Sequence, residues 1–278
     1  MSTELVSRQS VRQKQGSIWD YISPSRLSLW ARCPLAMRFR YVDGITTPAT
    51  PSLFIGTRVH SGLERYYRHR QIGMTLSADA VADWMAGSWE TAAAEAEIEF
   101  SSPEEEVRLK QQTVDLVRAY LAEVPGDEPR PLAVEAAMEV PLVDPRTGED
   151  FGIPLLGIVD LVLDGPEGAT IIDFKSAARG GELVEIQHEI QLTCYSFAYR
   201  RTTGRREGGL EIRRLVKTKV PKVETHVSPA RSPEHFRRLF SLVRCYLDDL
   251  DAGKFVYRPG PGCMFCDFRE SYCRAWCG

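Results

Sequence analysis

The sequence predicts an α/β fold with a mixed β-sheet flanked by helices, and three observations carry that prediction. Apolar runs rich in β-branched residues gather mid-chain, near 132–140, 155–163 and 170–175, and read as buried strands. Helical patterns precede them, and a helix and a further strand follow, which is the order of an α/β core. A compact tail, 255–278, then holds four of the seven cysteines.

In chain order, residues 1–20 read as a flexible tail. The segment 1–16 is polar and lacks an apolar signal core, which fits a cytoplasmic protein. A helical region, 21–130, carries Cys33 and His60. Ser23-Pro24-Ser25 starts its first helix, with an apolar pattern through Leu27, Trp30, Ala31 and Leu35. Further helices are expected at 53–70, 77–98 and 103–123, the last two acidic. The core, 131–230, holds the three strands, a helix over 184–200 and a strand near 210–218. A helix over 233–250 and the cysteine-rich tail complete 231–278.

Composition excludes little. Net charge is −3 and 43% of residues are hydrophobic, ordinary for a globular protein. No stretch approaches a membrane span. Between Glu90 and Glu106 seven residues are acidic and none basic, whereas nine basic residues fall between Arg200 and Lys222. That basic stretch suits phosphate contacts, and equally a solvated face. An odd number of cysteines fits a reducing compartment in which thiols bind metal.

The chemistry concentrates where Gly157-Ile158-Val159-Asp160 is followed by Ile171-Ile172-Asp173-Phe174-Lys175. Buried strands do not carry charges without partners or a purpose. Side chains alternate along a strand, so Asp173 and Lys175 share one face and Phe174 takes the other. Two carboxylates beside an ammonium suit a Mg²⁺- or Mn²⁺-dependent phosphodiesterase, with Asp160, Asp173 and the Phe174 carbonyl as hard oxygen ligands. Lys175 would orient the attacking water or stabilise transition-state charge. Upstream, Gly56, His60 and Glu64 stand at four-residue steps on one helical face, and imidazole suits Mn²⁺ better than Mg²⁺. Gln191 and Tyr195 share a face of the helix after Lys175; the alternative is plain packing of Tyr195 on the sheet. Glu64 and Glu135 read mostly as structural.

Together these residues resemble the RecB-like branch of the PD-(D/E)xK nuclease superfamily, which includes the AddB nuclease domain and the CRISPR-associated RecB-like exonucleases. The resemblance spans Ser23 to Cys273. It implies a restriction-endonuclease-like core, His60 as a metal ligand, Asp160 and Asp173 as the acids and Lys175 as the catalytic lysine. It further implies that Gln191 and Tyr195 line the site. Asp160 stands in Gly-Ile-Val-Asp rather than Pro-Asp, a form the branch commonly shows.

Cys263-x-x-Cys266 is followed by Cys273 and Cys277, with Cys33 far upstream. Such thiolates suit an iron–sulfur cluster or structural zinc. The resemblance implies a [4Fe–4S] cluster on Cys33, Cys263, Cys266 and Cys273. Six residues separate Cys266 from Cys273, one more than the branch's usual spacing, so Cys277 is a possible substitute. The four C-terminal cysteines holding zinc are the alternative. A cluster that ties Cys33 to the tail would act as a structural staple, because closing so long a loop removes unfolded-state entropy. Cys194 and Cys245 read as buried small hydrophobes.

The function expected is a metal-dependent exonuclease on single-stranded DNA or DNA ends, in repair, recombination or CRISPR adaptation. Helices 77–123 and the tail would frame a strand channel, with bases stacked on Trp30 or Tyr195. A structure-selective or restriction-type endonuclease and a non-catalytic DNA-binding subunit are the competing readings. No phosphate-binding helicase loop is present, so unwinding would fall to a helicase or CRISPR adaptation partner.

Overall fold

The computed structural model describes residues 17–178, 180 and 184–276. Helices α1 (Pro24–Arg32), α2 (Pro34–Met37), α3 (Pro51–Gln71), α4 (Ala78–Gly87), α5 (Trp89–Glu95) and α6 (Pro103–Glu123) precede the sheet. Strands β1 (Pro131–Val143), β2 (Asp150–Leu163) and β3 (Thr170–Ala177) follow. Helix α7 (Val184–Thr203), strands β4 (Gly209–Val216) and β5 (Lys222–Pro229), and helix α8 (Pro233–Asp251) complete the core. The sheet keeps the chain order β1 to β5, antiparallel throughout except for the parallel β3–β4 pair. A parallel step requires a crossover, and α7 supplies it.

Two apolar cores sandwich the sheet. On one face α1, α7 and α8 pack against Ala136, Met138 and Val159. On the other, α3, α4 and α6 pack against Leu161, Ile172 and Phe174. The mixed sheet between helical layers is the restriction-endonuclease-like arrangement expected.

The helix starts follow from local chemistry. Thr50 and Ser102 cap α3 and α6 by accepting the backbone N–H of Leu53 and Glu105, and a proline occupies the first turn of each. Three expectations need correction. The helix expected over 77–98 is two, α4 and α5, broken at Gly87-Ser88, where the Ser88 hydroxyl donates back to the Trp84 carbonyl (2.8 Å). Strand β5 was not anticipated. Among the described residues it pairs only with β4 and stays largely exposed, so its charged and polar residues give no apolar run to detect. The basic stretch is partly spent inside the fold: Arg200 pairs with Glu207 (2.7 Å) and Arg213 with Glu128 (2.6 Å). Among the described residues, no helix is long and apolar enough to cross a membrane.

Candidate active site

The β2–β3 ladder ends at Leu161↔Ile172. The next pair in that register would be Asp160 and Asp173, so both acids sit where the two strands part. A side chain takes over from the ladder there: the Phe174 N–H donates to Asp160 Oδ2 (2.8 Å). Because β3 alternates, Phe174 turns to the opposite face and lodges between Tyr67 and Tyr120, with ring centroids 5.9 and 5.5 Å away. The hydroxyls of those tyrosines meet at 2.6 Å, and Arg213 donates to Tyr120 (2.7 Å) and to Glu128 (2.6 Å). This buried polar cluster backs β3 behind the acids.

Asp173 is 1% exposed. Its Oδ2 lies 2.5 Å from Lys175 Nζ, and its Oδ1 accepts from Gln191 Nε2 (2.8 Å). The Gln191 amide also donates to the Tyr195 hydroxyl (2.8 Å). Gln191 and Tyr195 are four apart on α7, so one turn presents both to β3. Helix α3 brings His60 from the other side. Its Nδ1 is 3.5 Å from Asp160 Oδ1 and 3.7 Å from Glu135 Oε1, and makes no hydrogen bond although it is enclosed.

Glu135 is the site residue that the sequence reading assigned to structure. In β1, Val134 pairs with Leu161 and Ala136 with Val159, which sets Glu135 beside Asp160. Its φ of +46° is rare for a residue other than glycine. The available signal was the one used for Asp160, a lone carboxylate inside an apolar run.

The electrostatics follow from crowding. Burial raises the Asp173 carboxyl to about 6, with Asp160 adding to burial and Lys175 opposing it. For Asp160, burial works upward, but His60, Lys175 and the Phe174 N–H hold it below the usual carboxylate range. Burial lowers His60, yet Asp160 and Glu135 outweigh it and raise the imidazole to about 10. Burial likewise works against the Lys175 charge, and the two aspartates more than restore it. His188, one turn before Gln191, is pushed down to about 4 by burial and then by Lys175.

The donor set fits a divalent cation. One atom each from His60, Glu135 and Asp160 lies within 4.8 Å of the others, two of them hard oxygens and one an enclosed nitrogen without a hydrogen bond. His60 and Lys175 line a cleft of about 860 Å³, which Met264 and Phe265 of the tail also line. Helices α4, α5 and α6 do not line it, contrary to the channel expected from 77–123. Trp30 and Tyr195 are each only 5% exposed, and Trp30 donates to Asp249 (3.1 Å) in the core. Neither presents a face for a base to stack on. Glu64 pairs with Arg68 (2.8 Å) and does not line the cleft.

Cys33, Cys263, Cys266 and Cys273 line a second cavity, of about 240 Å³. Burial raises the Cys273 thiol, and the other three thiols add to that. The tail reaches Cys33 through Arg40–Asp267 (2.6 Å) and the Phe39–Phe268 rings (5.6 Å). Cys277 falls outside the described residues. Cys194 is buried, but Cys245 is exposed, because it lies on the outer face of α8 rather than its core face.

An α/β core whose parting strands gather acids, a lysine and a helical histidine is an architecture that fits a nuclease. The family model described as PD-(D/E)XK nuclease superfamily matches residues 21–274. The chain belongs to that superfamily. No curated protein matches it. A solved structure from Eubacterium rectale, named "Putative exonuclease", is similar over 98% of this chain and 94% of its own, at 14% identity and TM-score 0.60. At that identity the likeness shows the fold. A protein named SSO0001 covers 97% of this chain and 92% of its own, at 12% identity and TM-score 0.46.

Proposed function

We propose that this chain is a Mg²⁺- or Mn²⁺-dependent exonuclease acting on single-stranded DNA or DNA ends. The observation that carries the reading is Asp173 held between Lys175 and Gln191, beside the His60–Glu135–Asp160 group. The E. rectale neighbour bears the name of an exonuclease, in keeping with this choice.

In this reading His60, Glu135, Asp160 and Asp173 hold the cation, with the Phe174 carbonyl as a further oxygen ligand. When bound, it supplies Lewis-acid polarisation of the phosphate and a more acidic water. Lys175 contributes fixed positive charge where the phosphoryl oxygens gather charge, and orients the attacking water. Gln191 holds one oxygen of Asp173 and leaves the other to Lys175; Tyr195 holds Gln191. Asp160, anchored by the Phe174 N–H, keeps one oxygen for the backbone and one for the site.

Cys33, Cys263, Cys266 and Cys273 carry a [4Fe–4S] cluster that staples the tail to α1 and α2, with zinc on Cys263, Cys266, Cys273 and Cys277 as the alternative. Iron, acid-labile sulfide and zinc measured on anaerobically purified protein decide between them. Any duplex unwinding is the work of a partner protein.

The functional test incubates that protein with Mn²⁺ and end-labelled linear single strands or closed circular DNA. Linear strands are degraded and circles spared, and Lys175→Ala and Asp173→Ala each cut the rate roughly 10²-fold or more. Cleavage of circles replaces the exonuclease with an endonuclease. No cleavage by protein with its cluster intact leaves a DNA-binding subunit.

A further inference from the structure

The cleft over the catalytic residues has two kinds of wall. Its floor carries His60 and Lys175. Its rim carries Leu53 from α3 and Met264 and Phe265 from the tail, exposed by 65%, 67% and 81%. Large apolar side chains left in water beside a polar site mark an interaction surface. Met264 and Phe265 are the two residues between Cys263 and Cys266, in a 3₁₀ turn over Pro261–Phe265. Two backbone bonds brace this turn, Cys263 N–H to Gly260 (3.0 Å) and Cys266 N–H to Cys263 (3.4 Å). Asp267, the next residue but one after Phe265, is tied to Arg40 (2.6 Å). The aromatic ring is thus exposed but mounted on a fastened turn.

We infer that Phe265, with Met264 beside it, is a stacking platform for a nucleobase of the strand whose phosphate lies over Lys175. This deepens the nuclease reading and rests on it. A nucleotide shows the same division as the cleft, a flat apolar base and a charged phosphate. Its volume fits a cleft of about 860 Å³. An aromatic face accepts every base, so the platform grips single strands without choosing sequence. It refuses a duplex whose bases are stacked on one another. The buried Trp30 and Tyr195 leave this task to the rim. Phe265 is a positioning residue: it touches the base, and it acts on the chemistry only by placing the phosphate.

The test compares wild type, Phe265→Ala and Phe265→Trp as full chains purified anaerobically, with thermal melting to confirm folding. Substrates are a single-stranded oligonucleotide and the same strand with abasic sites along its length. Phe265→Ala raises KM on the base-bearing strand roughly tenfold with kcat little moved, as expected for loss of one stacking contact. Phe265→Trp restores KM, and on the abasic strand the three proteins have similar KM. An unaltered KM in Phe265→Ala, or the same increase on both strands, overturns the platform. If wild type cleaves neither strand, the nuclease reading fails by itself. Binding of a strand containing 2-aminopurine then decides: quenching lost in Phe265→Ala supports the platform, and quenching retained rejects it.

Discussion

Glu135 holds its backbone at φ +46° in mid-strand. Such strain costs on the order of 1–3 kcal/mol, and the gain at this position is a carboxylate aimed at His60. Glu135→Gln keeps the shape and removes the charge, so Mn²⁺ affinity measured by calorimetry should fall at least about tenfold. Equal affinity would return Glu135 to a structural role. Glu207 tests stability alone. It is buried, takes bonds from Arg200, Ser196 and the Arg231 N–H, and is held below the usual carboxylate range despite burial. A depressed folded pKa stabilises above the unfolded value and is lost as pH falls through the folded one. Glu207→Gln should therefore cost about 3 kcal/mol at pH 7. The gap from wild type should close below the carboxylate range, as read by denaturant melts across pH. A gap independent of pH would exclude charge as the cause.

At the scale of elements, the α3 crossing decides where His60 points. A Cβ on Gly62 would meet Met85 Sδ at 2.5 Å and Val117 at 3.3 Å, so α3 lies close against α4 and α6. Met85 is flexible and can yield to one methyl; it cannot yield to a branched side chain. Gly62→Val should lower stability by about 1–3 kcal/mol and Gly62→Ala by less. Activity should fall further than stability explains, since His60 moves with the helix. Stability unchanged in Gly62→Val would mean that the helices part freely. Legibility varied by element for physical reasons. Helices such as α6 begin with a serine cap and proline and were readable from one end; β5, polar and on the sheet edge, carried no apolar signal. The Gly87-Ser88 break mattered because a serine hydroxyl competes for helix carbonyls, which periodicity does not register.

For the whole molecule, the proposed cation would tie helix α3 to two strands of the sheet. His60 comes from α3, Glu135 from β1 and Asp160 from β2, so binding to the folded state alone should raise stability by about 2.7 kcal/mol at a hundredfold excess over Kd. Thermal melts with Mn²⁺ should show the rise in wild type and not in Asp160→Asn. A rise retained in Asp160→Asn would place the cation elsewhere.

The α/β order, the Asp160–Asp173–Lys175 pattern and the cysteine spacings were legible in the sequence, because each is local: a period, a run or a count of residues. The tertiary structure alone decided that β2 and β3 part at the acids and that Glu135 joins His60. It also decided that Trp30 is core while Phe265 stands in the cleft. These depend on which surfaces meet across long separations in the chain, and exposure is settled only when the elements pack.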